Sequence, residues 1–218
     1  MGIAELDKDN FMITIMAHII LYGDAANEIL ASQVAEEIGT HWNAAMAEVF
    51  IRNRRYALLF KITAAYEEKL TPTDVYENDN PLNNYFRVEE FSGIHISFVD
   101  GIGSNTGYFK LDNLLNNSTT AAHEFGHTLG LEHPENIDIR GTGAPGIMYP
   151  RGTIVDPHFQ YDPAAAPASV GGTMNPYHRK VSQKDIDDLQ LDKLSFDNNG
   201  RAVVGAFSSI WHRKHLPR

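Results

Sequence analysis

The chain has 218 residues, no cysteine, and 28 acidic against 18 basic side chains, a net charge of −10. A chain of this length buries roughly 70% of its unfolded surface. Its 43% hydrophobic and 21% charged composition is that of a globular protein, which excludes a mainly disordered, collagen-like or coiled-coil chain. Disulfides, thiolate nucleophiles and Cys-ligated metals are impossible, and the acidic balance argues against a nucleic-acid partner.

In chain order, the longest apolar run is Phe11 to Tyr22. It is too short to span a bilayer and reads as a buried strand that ends at Gly23-Asp24. Glu5, Asp7 and Asp9 precede it, unlike the basic start of a signal peptide. Gly2 lacks the Ser/Thr that myristoylation requires. Neither a signal peptide nor a membrane partner is expected, and the compartment stays open. Asn27 to Val49 places Ile29, Leu30, Val34, Ile38, Trp42, Met46 and Val49 at helical spacing. Tyr56 to Tyr66 reads as a second strand. Thr71 to Asn84 is rich in Pro, Asp and Asn and reads as a loop. Phe86 to Val88 and Ile94 to Val99 follow as strands, Asp100 to Asn105 as a turn, and Gly107 to Leu111 as an edge strand for an extended peptide.

Strand, helix, strand and further strands predict an α/β sheet. Ser118 to Leu129 is the central helix, with Ser118 or Thr119 as N-cap. Pro134 to Pro176 is dominated by Gly, Pro and Ala and has no long element. So long an irregular stretch in a folded chain is usually functional. Ser182 to Leu194 is the last helix, opening on the capping pattern Ser182 and Asp185. Val203 to Trp211 reads as a final strand, and His212 to His215 as a frayed basic tail.

The chemistry lies in His123-Glu124-Phe125-Gly126-His127-Thr128-Leu129-Gly130-Leu131-Glu132-His133. Positions four apart share one helix face, so His123 and His127 offer two imidazoles to one ion. Glu124 stands beside the first ligand, in reach of a water on the metal without binding the metal. His133 lies ten positions past His123, about 280° around an ideal helix. It reaches the same ion only if the helix breaks, and Gly130 is the residue that permits the break. Three imidazoles leave a fourth position for water, the arrangement of a catalytic zinc rather than a closed structural one. At this composition the five-residue His-Glu-x-x-His motif arises by chance in about 3% of shuffled chains, and the extended motif in about 1 in 10,000.

These residues resemble the metzincin clan of zinc endopeptidases, and their wording is most similar to the matrixins. The resemblance implies a twisted mixed sheet with an active-site helix and a small C-terminal lobe, an α+β variant of the α/β class. It implies one metallopeptidase domain over 1–218, with an N-terminal lobe to about 130 and a C-terminal lobe from about 131. It implies one catalytic zinc on His123, His127 and His133. Peptide-bond hydrolysis would use a zinc-activated water with Glu124 as general base, on an extended peptide or protein substrate. It also implies a methionine turn beneath the metal. Met148, in Gly146-Ile147-Met148-Tyr149-Pro150, is the choice; Met174, in Gly172-Thr173-Met174-Asn175-Pro176, is the alternative.

The matrixin structural zinc and calcium loops are not recognisable. Asp100 to Gly103 and Glu77 to Asn80 are weak calcium candidates that read better as plain turns. Arg151 to Pro157 and Gly171 to Pro176 are similar to peptidase domains of bacterial Rhs-type polymorphic toxins, which implies a delivered toxin with an inhibitory or immunity protein as partner. The competing reading is an inactive metzincin-like peptide-binding module. The remaining histidines read as structural (His18, His95), as packing or surface (His41), and as loop residues (His158, His178). Tyr149, Tyr161 and Tyr177 are candidate hydroxyls near the metal, but none has the usual spacing from either methionine.

Overall fold

The apolar run of the N-terminal quarter becomes the central strand of a curled mixed sheet. The computed structural model describes residues 1–115 and 118–217. Its strands are β1 (Gly2–Asp7), β2 (Met12–Tyr22), β3 (Glu48–Ile51), β4 (Arg54–Tyr66), β5 (Asn83–Glu89), β6 (Phe98–Val99), β7 (Thr106–Lys110) and β8 (Arg201–Val204). The helices are α1 (Glu28–Ala44), α2 (Pro72–Tyr76), α3 (Leu111–Leu114), α4 (Thr120–Thr128) and α5 (Gln183–Asp188). The fold class is therefore mixed α/β, as expected.

Strand order is β3-β4-β2-β5-β7-β6, with β1 joining β2 to β8. One side of β2 pairs in parallel with β4, from Met12↔Ala57 to Leu21↔Tyr66. Its other side is shared end to end. The first half pairs antiparallel with β1 and the second half in parallel with β5. Most residues of β2 are buried at both sets of alternating positions, and a strand covered on both faces is apolar throughout, which is why 12–22 reads as a continuous run. β7 pairs with β5 and with β6, so Gly107–Leu111 is not an edge. The outer position belongs to the two-residue β6. The expected strand at 94–99 shrinks to that pair because His95 takes φ +61° and Ile94 and Ile96 face outward.

Helix α1 begins where Asn27 accepts a hydrogen bond from Leu30 N–H and buries Leu30, Ala31, Val34, Ile38 and Trp42. It ends five residues before Val49. The Asn43 side chain bonds Phe60 N–H and C=O of β4, at 2.8 and 2.9 Å. Met46 turns to φ +44°, and the chain continues as β3. The sequence pattern thus ran a helix into a strand. The hairpin turn between β3 and β4 is Arg52-Asn53, both at positive φ, without the glycine that usually marks such a turn.

Two further expectations change. Thr71–Asn84 contains α2, held by a capping box between Thr71 and Asp74. The last helix stops at Asp188, because Gln190 takes a left-handed conformation and a single 3-10 turn follows. No helix among the described residues is long and apolar enough to cross a membrane.

Candidate metal centre

The centre is built on α4, all nine residues of which are buried. Its floor is the aromatic group Trp42, Phe60 and Phe125, with ring centroids 5.0 to 6.4 Å apart. Trp42 Nε1–H donates to Ala122 O at 3.0 Å, tying α1 to the site. Gly126 allows the close approach of this floor: a Cβ there would stand 2.3 Å from Met148 Sδ and 3.2 Å from Trp42.

The N-terminus of α4 is capped from another element. Thr119 occupies the cap position in a left-handed conformation and makes no capping bond. Its hydroxyl donates instead to Pro176 O at 2.6 Å, pinning the loop before Arg179 to the helix start. The Ser118 hydroxyl accepts from Thr120 N–H, and Glu37 of α1 accepts from Ala122 N–H.

The C-terminus of α4 is a Schellman motif. Gly130 N–H bonds His127 O and Leu131 N–H bonds Gly126 O, with Gly130 at φ +105°. That left-handed turn breaks the helix where the sequence required a break. His133 swings back, and its Nε2 lies 3.1 Å from His123 Nε2 and 3.0 Å from His127 Nε2. All three ligand nitrogens fall within 4.8 Å of one another.

The other ring nitrogens fix the tautomers. His123 Nδ1–H faces Ile147 O at 2.7 Å and His127 Nδ1–H faces Leu131 O at 2.7 Å. A carbonyl only accepts, so each Nδ1 carries the proton and each Nε2 keeps a free lone pair. Two lone pairs then converge on a third imidazole, which the side chains alone cannot satisfy. A divalent ion resolves this, since tetrahedral zinc with bonds of about 2.0–2.1 Å sets its nitrogens about 3.3 Å apart. Burial also keeps the rings neutral. It holds His123 well below its ordinary range, His127 at about 4, and His133 lowered. The residues present fit a zinc ion.

Glu124 lines the same cavity, of about 400 Å³. Burial pushes its carboxyl up to about 7, against the opposing pull of Arg179 and Arg151. The cavity's apolar wall includes Phe98 and Val99 of β6, Ile102 and Pro150. Met148 is buried under the helix, as Gly126 shows. Met174 packs elsewhere, with Ile139 and Val155. Tyr149, Tyr161, Tyr177, His158 and His178 do not line the triad cavity. Tyr177, His178 and His41 border a larger cavity against α1, of about 1050 Å³, in which no three ligand groups converge. His18 bonds Thr63 Oγ1, a structural role.

Asp100 is tied into the turn by its own contacts. Its carboxylate pairs with His212 at 2.9 Å and also accepts from Thr106. Asn78, Asn80 and Asn83 bond one another in a plain polar turn. Among the described residues the His123–His127–His133 group is the one cluster of three or more His, Cys, Asp or Glu side chains that could hold a metal ion. Sequence reasoning missed Arg179, because a lone arginine beside Lys180 in an irregular stretch carries no pattern that separates it from a surface charge.

No family model matches the chain, and no curated protein matches it. Among solved structures it is similar to archaemetzincin from Methanopyrus kandleri, with 12% identity and a TM-score of 0.41, over 81% of this chain and 95% of that one. At that level the likeness is one of outline, and the site stands on its own residues.

Proposed function

We propose that this chain is a zinc-dependent endopeptidase of the metzincin type. The observation that carries the reading is the convergence of three imidazole Nε2 atoms, two of them with lone pairs fixed by Nδ1–H···O=C bonds, in a cavity shared with one buried carboxylate. His123, His127 and His133 would hold the ion. A zinc ion there supplies a Lewis acid for the scissile carbonyl and lowers the pKa of water toward 7.

Glu124 then takes the proton of the attacking water and returns it to the leaving amine, so the C–N bond breaks with the proton on nitrogen. Ile147 O and Leu131 O hold two rings in the ligating tautomer. Met148 packs against Gly126 beneath the ligands, the place of a methionine turn. An extended peptide would lie along β6, the outer strand at this end of the sheet, whose Phe98 and Val99 border the cavity. The segments 151–157 and 171–176 meet through Met174 N–H and Thr153 O at 3.1 Å and build the loop region below the site. A delivery role is read from their resemblance alone.

The test incubates the zinc-loaded protein with a peptide library, with and without chelator, and maps the cuts by mass spectrometry. Internal cuts that chelation abolishes are expected. A library left intact under zinc saturation would favour the peptide-binding module instead.

A further inference from the structure

Arg179 is the most unusual charged residue in the molecule. It follows the 3-10 turn Pro176–His178 and stands at the wall between the triad cavity and the larger cavity against α1. It is 4% exposed, and its Nε has no hydrogen-bond partner. Among the described residues the guanidinium neither pairs with a carboxylate nor donates a hydrogen bond. Glu124 and Glu37 act on it only through their charge.

Burying a guanidinium without a carboxylate, with its Nε unbonded, is unfavourable, and a fold keeps one where an anion will meet it. The planar fork matches a carboxylate with two parallel bonds. The charges around it point the same way. Arg151 borders the triad cavity beside Arg179, against the one carboxylate of Glu124, which the proton transfers occupy. Beyond the ligand histidines, the rest of the lining is uncharged: apolar at Phe98, Val99, Ile102 and Pro150, and neutral polar at Ser97, Asn113 and Thr120. In a chain of net charge −10, this cleft is locally cationic even before a divalent ion is added.

We propose that Arg179 determines specificity by receiving a substrate carboxylate, so that the preferred substrates carry an acidic side chain or a free C-terminal carboxylate close to the scissile bond. The class of substrate rests on the peptidase reading above; the carboxylate site does not.

Two measurements separate these. In the first, the zinc-loaded full chain is titrated with succinate and with neutral succinamide while the arginine Nε–H resonances are followed by NMR. One resonance, absent from R179M and R179K, is expected to move saturably with succinate and to stay still with succinamide. If succinate binds and that resonance does not move, or if nothing binds, the carboxylate site is overturned, whether or not the protein cleaves peptides.

The second compares kcat/KM for three matched peptides. One has an internal Glu and an amidated end, one a Gln at that position and an amidated end, and one the Gln with a free acid end. Wild type is expected to favour at least one carboxylate peptide by tenfold or more, mainly through KM. R179M should bring that ratio to within about twofold of unity, and R179K should recover part of it. The preferred peptide identifies the source of the carboxylate. A wild-type ratio near unity, or an R179M loss equal for all three peptides, overturns the recognition role. Failure of every peptide to be cleaved counts against the peptidase reading and leaves the NMR result to decide the site.

Discussion

On the peptidase reading, Glu124 and the three histidines divide the work by chemistry, and single substitutions separate their roles. In the proposed reaction the Glu124 carboxyl moves protons and ligates nothing. Glu124→Gln is therefore expected to keep one zinc per chain by elemental analysis while kcat/KM falls about a hundredfold or more, the usual weight of a positioned acid–base group. Peptidase activity near wild type in that variant would refute the assignment. His127→Ala removes a ligand together with its bond to Leu131 O, and the expected result is loss of stoichiometric zinc. Glu37 is a second acid with a distinct signature. Burial pushes its carboxyl up to about 7, although it accepts from Ala122 N–H. A carboxyl whose folded pKa is raised favours folding below its ordinary value near 4.5 and loses that contribution as pH rises through 7. After discounting for partial exposure, this group should cost the fold about 2 kcal/mol between pH 5 and pH 8. Glu37→Gln should flatten that dependence in denaturant titrations. An unchanged pH slope would show that Glu37 ionises normally.

At the scale of elements, the break after α4 decides whether there is a site at all. A Cβ at Gly130 would meet nothing within 4 Å, so the φ of +105° alone constrains the position. Gly130→Ala should cost about 1–2 kcal/mol of backbone strain. If that strain opens the Schellman turn, zinc affinity falls roughly tenfold, since about 1.4 kcal/mol is a factor of ten. Competition with a zinc chelator measures it, and an affinity equal to wild type would mean that His133 reaches the ion by another path. The break was legible because a glycine stands between ligands that an unbroken helix would point apart. Strands β2 and β4 were legible through apolar runs, and α1 through its 3.6-residue period. The join of α1 to β3 was not, because Met46 and Val49 continue the helical spacing by coincidence while Asn43 and the Arg52-Asn53 turn redirect the chain. β1 escaped notice because Gly2–Asp7 is short and half polar; its place comes from pairing with β2 and β8.

Over the whole molecule, the C-terminal segment 201–215 returns to the sheet. β8 pairs with β1. Beyond it the basic tail, expected to fray, lies along the sheet. Trp211 stacks on Tyr22 at 4.5 Å, His212 pairs with Asp100, Lys214 with Asp24, and His215 stacks on Tyr108 at 4.2 Å. Trp211→Ala should lower stability by about 1–2 kcal/mol through lost stacking and burial, seen as a lower Tm. A Tm equal to wild type would mean that the tail contributes no net stability. His212 and His215 both contact Phe98 of β6, so the tail also backs the strand that borders the cleft.

The amino-acid order by itself marked His123, His127 and His133 as one group with Glu124 beside it, and the need for a turn at Gly130, because helical spacing and glycine's conformational freedom are local properties. It also marked the central strand, since burial on both faces demands a continuous apolar run. Only the tertiary structure decided which carbonyl orients His123, which acid caps α4, which strand takes the outer position, and that Arg179 is buried with its Nε unpartnered among the described residues. Each of these depends on atoms from elements far apart in the chain meeting at one wall, and a contact of that kind leaves no periodic trace in sequence.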